Sequence, residues 1–113
     1  MPKRTAEQKK HLENLVKRCV QFMHQKGRLS YPPGGYHGYA PYESRYEGLG
    51  LIIMLRGYYS LGGSECRIRM WDKDSRRVVL GARIDEDSEP EKIKVSTYRR
   101  GDWEKKINRR MRA

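Results

Sequence analysis

Between Cys66 and Ile84 apolar and cationic residues take turns along the chain, and that period of two admits few folds. Cys66, Ile68 and Met70 fall on one side with Arg67, Arg69 and Trp71 on the other; Val78, Leu80, Ala82 and Ile84 then alternate with Arg77, Val79, Gly81 and Arg83. Successive side chains of a strand point to opposite faces, so the pattern describes two half-buried strands with one apolar and one basic side. Directly opposed residues share a face, so even positions must meet even ones and the connecting loop must be odd. Lys73-Asp74-Ser75 satisfies this, with Met70 opposite Val78 and Trp71 opposite Arg77. After an acidic turn, Asp85 to Glu91, a further strand alternates Ile93, Val95 and Thr97 with Lys94, Ser96 and Tyr98. The apolar run from Leu49 to Tyr59, interrupted by Gly50 and Gly57, predicts a buried central strand, and Ser60-Leu61-Gly62-Gly63 a turn behind it.

Helical spacing brackets this block. Leu12, Leu15, Val16, Cys19, Val20 and Met23 recur at three- and four-residue intervals, which predicts an amphipathic helix over 5–27. Thr5 and Gln8 have capping-box spacing, and Gly27 is read as a left-handed stop. At the other end Asp102 is read as the cap of a short helix over 102–112, with Trp103, Ile107 and Met111 inward and Arg109, Arg110 and Arg112 near the negative end of its dipole. Between the first helix and the strands lies a Tyr/Gly/Pro segment, 29–47, with five of the eight tyrosines and no Lys or Arg from 29 to 44. Pro32-Pro33-Gly34-Gly35 forbids helix, and the segment is read as a long irregular loop. The expected fold is therefore one α+β domain over 1–113: an antiparallel sheet of three to four strands within 49–99, with both helices on its apolar side.

Charge is segregated along this scheme. Residues 1–28 hold eight Lys/Arg against two carboxylates and residues 92–113 nine against two, whereas 29–64 is neutral and 65–91 carries a net −2. Like charge at this density opposes folding, and a polyanion that the folded chain meets explains it; nucleic acid, DNA or RNA, is the expected partner. Cys19 and Cys66 lie on apolar faces without redox or zinc spacing, which suits reduced packing residues in a reducing compartment. No apolar run approaches the length of a membrane helix and the N-terminal stretch lacks a signal-peptide core, so a cytoplasmic protein, or a nuclear or nucleoid one, is expected with no membrane partner.

The residues on offer favour binding over chemistry. On the wet side of the strands Arg67, Arg69, Trp71, Arg77, Arg83, Lys94 and Tyr98 should stand together, cations for phosphates and rings for bases. Arg99, Arg100, Lys105, Arg109 and Arg110 should extend that surface through the last helix. Tyr36, His37, Tyr39 and Tyr42 suit base stacking, recognition of a protein, or packing as a flap over the core. There are two alternatives: an interaction module or inhibitor docking on a nucleic-acid-handling complex through the tyrosine loop, and a metal-independent ribonuclease of toxin type using His37, Tyr39, Arg45 and Glu47. No metal set or cofactor motif is present: His11, His24 and His37 are scattered, the acidic turn lacks the glycine of a calcium loop, and no Gly-Lys-Ser/Thr succeeds the glycines. The helix–strands–helix order invites comparison with double-stranded-RNA-binding domains and small ribonuclease toxins, but the motif residues of neither occur, and no family is assigned.

Overall fold

The computed structural model describes residues 4–30, 39–60, 63–85 and 92–112. The chain begins with helix α1 (Ala6–Lys26), closed at its start by the expected capping box: the Gln8 amide donates to Thr5 Oγ1 at 3.1 Å and the Thr5 amide to Gln8 Oε1 at 2.9 Å. Next come six strands, β1 (Arg28–Ser30), β2 (Tyr39–Gly48), β3 (Leu51–Ser60), β4 (Gly63–Asp72), β5 (Val78–Asp85) and β6 (Lys92–Tyr98), and helix α2 (Trp103–Arg112) ends the chain. The strands form one antiparallel meander in sequence order. Both helices lie on one side of it, their Leu15, Phe22, Trp103 and Ile107 packed into the same core as Ile53, Leu55, Ile68, Met70 and Leu80 of the sheet.

The architecture is α+β as expected, but the sheet has six strands, not three to four, because β1 and most of β2 lie in the segment read as loop. The reason is chemical. The inward residues of β2 are Tyr42, Ser44 and Tyr46 rather than aliphatics, while Glu43, Arg45 and Glu47 point outward, so the alternation is there in a polar alphabet. Tyr42 lies over Gly57 of β3, its register partner, where a Cβ would come within 2.6 Å of three ring and hydroxyl atoms; that glycine is a seat for the ring rather than an interruption. Tyr46 meets Phe22 of α1 edge-on at 4.8 Å. Pro41 is tolerated because β1 pairs only with Glu43–Arg45, so its missing N–H faces a bare strand edge among the described residues.

Three local expectations are corrected. Gly27 caps α1 in extended backbone (φ −73°), not left-handed; a Cβ there would sit 2.1 Å from Ser44 Oγ, so close approach of β2 requires the glycine. The 49–59 segment is not buried on both faces: Leu51, Ile53 and Leu55 enter the core, whereas Ile52, Met54 and Arg56 face outward. It is joined to β2 by Leu49-Gly50 with both residues at positive φ (56° and 71°), the two-residue turn whose twist matches paired strands. Finally, the β4–β5 loop is not Lys73–Ser75. The Asp72 carboxylate accepts from the Ser75 amide and hydroxyl, Arg76 takes positive φ (59°), and the Asp72 amide donates to the Arg77 carbonyl, which closes a four-residue loop. A bulge at Val79 restores even-to-even parity, so Met70 faces Leu80 and Trp71 faces Val78. The turns expected at 61–62 and over the acidic residues 86–91 lie outside the described residues.

Candidate nucleic-acid interface

The side of the sheet away from the helices carries no covering element among the described residues, and the antiparallel register sorts its side chains into transverse rows. One row runs Glu43–Arg56–Arg67–Arg83–Lys94, each residue directly opposite the next across β2 to β6. Its neighbour toward the β2–β3 turn is Arg45–Met54–Arg69–Gly81–Thr97, and beyond that comes Glu47–Ile52–Trp71–Val78. On the other flank lies Tyr58–Glu65–Asp85–Lys92. The face is thus graded from acidic through cationic to apolar. Sequence alternation brings Arg67, Arg69, Trp71, Arg83 and Lys94 together as expected, and Arg56, Met54 and Ile52 join them unforeseen; the lone arginine of the apolar run, Arg56, marks which parity of β3 faces out.

Four cations opposed in register over neighbouring strands repel one another, since like charges directly opposite destabilise a sheet. Two carboxylates relieve the row in part. Glu65, only 16 % exposed, takes Arg83 in a two-point clamp (Nε–Oε1 2.8 Å, Nη2–Oε2 2.9 Å) and stands 3.5 Å from Arg67 Nε. Glu43 holds Arg56 at 2.9 Å. Lys94 and Arg69 have no ion pair among the described residues, and the Arg69 guanidinium lies 5.7 Å from the Trp71 ring centre. Between the rows runs a groove of about 630 Å³, walled by Arg56, Arg67, Arg83 and Lys94 and floored by Met54 and Gly81, with Trp71 at its edge. At the far corner Glu47 bridges Lys73 (2.8 Å) and Arg45 (3.9 Å), and the Lys73 ammonium holds its carboxyl below the usual range.

None of the remaining candidates is placed in these rows. Arg77 sits in the turn, exposed, opposite Asp72 rather than Trp71. Val79, expected on the basic side, is buried in the core. In β6 a bulge at Ser96, whose hydroxyl donates to the Gly81 carbonyl at 3.1 Å, leaves Thr97 opposite Gly81 and turns Tyr98 to the helix side opposite Leu80. There the Tyr98 ring meets Trp103 edge-on at 6.1 Å and its hydroxyl donates to Glu104; burial, and then the neighbouring carboxylate, push the phenol up to about 12. Arg99 and Arg100 are exposed in the connection to α2. Lys105 and Arg109 are exposed on α2, which packs beside α1 through the core and through an Arg18–Asn108 hydrogen bond (3.1 Å). Lys105 and Arg109 therefore stand on the helix layer, away from the cationic row. Tyr42 is 6 % exposed in the core. Tyr36 and His37, and the side chains of Tyr39 and Arg110, lie outside what the structure describes.

Cys19 and Cys66 are buried and form no disulfide, and burial pushes the Cys19 thiol up to about 12, far from reactive. Among the described residues no three His, Cys, Asp or Glu side chains converge as a metal site, and no helix is long and apolar enough to cross a membrane. Comparison with protein-family models, with characterised proteins and with solved structures gave no match.

Proposed function

We propose that the protein binds nucleic acid without transforming it, through the open face of its sheet. The observation that carries this reading is the in-register row Arg56–Arg67–Arg83–Lys94 beside a half-buried Trp71. A fold gains nothing by opposing four cations on adjacent strands, and two carboxylates offset them incompletely; phosphates laid along the row would complete the neutralisation and release counterions. Guanidinium groups suit phosphate because their donors form a rigid fork.

Titration of labelled oligonucleotides with the full chain at two salt concentrations tests the proposal. Binding should weaken steeply with salt, and the double variant Arg67→Ala, Arg69→Ala should weaken it for all sequences alike. Unchanged affinity in that variant refutes the assignment. A second reading draws support from the apolar row: Ile52, Met54 and Trp71 offer the aromatic and aliphatic anchor of a protein contact, rimmed by Arg45 and Arg76. A protein partner captured after nuclease treatment, and lost on Trp71→Ala, favours that reading.

A further inference from the structure

We infer that the ligand of the open face is a single nucleic-acid strand, lying across the β-strands with its phosphates on the Arg56–Lys94 row and its bases turned toward Trp71. The inference rests on the nucleic-acid reading and adds the form and direction of the ligand.

Three features of the face carry it. Four cations stand in register over four strands, with Arg69 beside them and Arg45 held by Glu47, so the main electrostatic track runs perpendicular to the strands and matches one backbone. Its two flanks differ. On one side Glu65 and Asp85 repel phosphate over the central strands, with Lys92 only at the β6 end; on the other stand Met54, Arg69 and Trp71, with Ile52 and Val78 beside Trp71 and the paired Arg45 and Glu47 at the β2 end. A backbone on the central row with bases over the Met54–Trp71 flank meets attraction on the row, the Glu65 and Asp85 carboxylates behind it and aromatic and aliphatic surface ahead. A duplex presents phosphates outward on both strands and keeps its base faces stacked inside, so it would press charge against Met54 and Trp71 and leave them nothing to cover. A single strand has exposed base faces that need such surface. Arg69 over the Trp71 ring adds a second planar group to the stack.

The geometry sets the scale of the effect. Three inter-strand steps of about 4.8 Å span roughly 14 Å. At about 3.4 Å per stacked nucleotide that length faces about four phosphates, so log affinity should fall against log salt with a slope of roughly −3 for a single strand. The sequence holds two tryptophans, Trp71 half-buried on this face and Trp103 in the core, so quenching by a ligand on the open face reports Trp71.

The test is a fluorescence titration of the intact chain with oligo(dT) and oligo(U) of about 15 nucleotides, and with a duplex of equal length. The inference expects quenching by at least one single strand, weaker binding of duplex, and a loss of about ten-fold in affinity for a labelled single strand in Trp71→Ala. Preference between oligo(dT) and oligo(U) separates DNA from RNA and supports the inference either way. Direction is read from the salt slope. Arg56→Ala and Lys94→Ala, at opposite ends of the row, should each reduce its magnitude by about 0.7, whereas Arg76→Asn, at the end of the sheet along the strands, should leave it unchanged. A slope moved by Arg76→Asn but by neither end of the row overturns the transverse path. Duplex binding at least as tight, with Trp71 emission unchanged, overturns the single-strand inference and leaves the nucleic-acid reading standing. No binding of any of the three ligands overturns both. The retained blue emission of buried Trp103 in each variant confirms that the fold persists.

Discussion

The two faces of this sheet are made by the same strands and the same alternation, yet they obey different rules. On the helix side Ile53, Leu55, Ile68, Met70 and Leu80 are almost completely excluded from solvent, and any apolar side chain of fitting volume would serve. On the open side identity depends on the transverse row: Glu65 opposes Asp85, four cations stand in line from Arg56 to Lys94, and Ile52 and Val78 flank Trp71. Packing explains the first arrangement. Nothing in folding asks for the second, and the opposed arginines work against it. The lesson is that a sheet's solvated face can be organised across its strands even when each strand, taken alone, looks like ordinary polar alternation.

Substitutions that act on one face and spare the other test this division, and the largest effect belongs to the core. Ile53→Ala should lower stability by about 2–5 kcal/mol, through lost burial and the cavity left behind. Urea unfolding measures it, and the folded fraction should bind oligonucleotide with unchanged affinity. A large change in affinity at fixed folded fraction would break the separation of the faces. Gly57→Ala comes next, at about 1–3 kcal/mol, because the new methyl must displace the Tyr42 ring that lies on the glycine. A thermal melt indistinguishable from the parent would mean that the ring moves aside freely.

Glu65→Gln acts on the open face alone. It keeps the shape but removes the carboxylate that holds Arg83 and approaches Arg67. Stability should fall by about 1–2 kcal/mol as charge-assisted bonds are lost, while affinity for a polyanion should rise on the order of three-fold, since an acid beside the ligand is gone. Opposite signs in the melt and the titration sharpen the contrast. A fall in both would make Glu65 a clamp that positions the arginines for the ligand.

How much of this was legible before folding depends on where the period of two survives. It survives in β4 and the first half of β6, and there the arginines, Trp71 and Lys94 fall on one face as the alternation implies. It fails at Val79 and Ser96, because each bulge inserts one residue: the first puts Val78 opposite Trp71 on the open face and Val79 in the core before the pattern resumes at Leu80, and the second swaps the faces of Thr97 and Tyr98. The first bulge answers a turn built on Asp72, Ser75 and the left-handed Arg76. The second is bonded through the Ser96 hydroxyl to the Gly81 carbonyl. Neither cause is periodic, so hydropathy could not reveal it. β2 was hidden differently, since Tyr42, Ser44 and Tyr46 have the composition of a loop until Gly57 and Phe22 receive the two rings. The in-register row itself required pairing, which a linear reading of charge does not contain.

Tyr98 marks the boundary between the two faces, and Tyr98→Phe gives the smallest effect. Without the Ser96 bulge its ring would stand among the cations; with it, the ring packs on Trp103 and the hydroxyl donates to Glu104. Burial and that carboxylate raise the phenol from 10.0 to about 12, so the fold favours the neutral form. The resulting stability is fully present below the unfolded value near pH 10 and is lost as pH rises from there through about 12. Phenylalanine cannot ionise, so the variant should give up no more than about 1 kcal/mol at neutral pH, for the missing hydrogen bond. Its melting temperature should then decline less than the parent's over that alkaline window. Its oligonucleotide titration should coincide with the parent's, because the ring is on the helix side. Loss of binding in Tyr98→Phe, with an unaltered alkaline melt, would return this residue to the open face and make the boundary drawn by the bulge untenable.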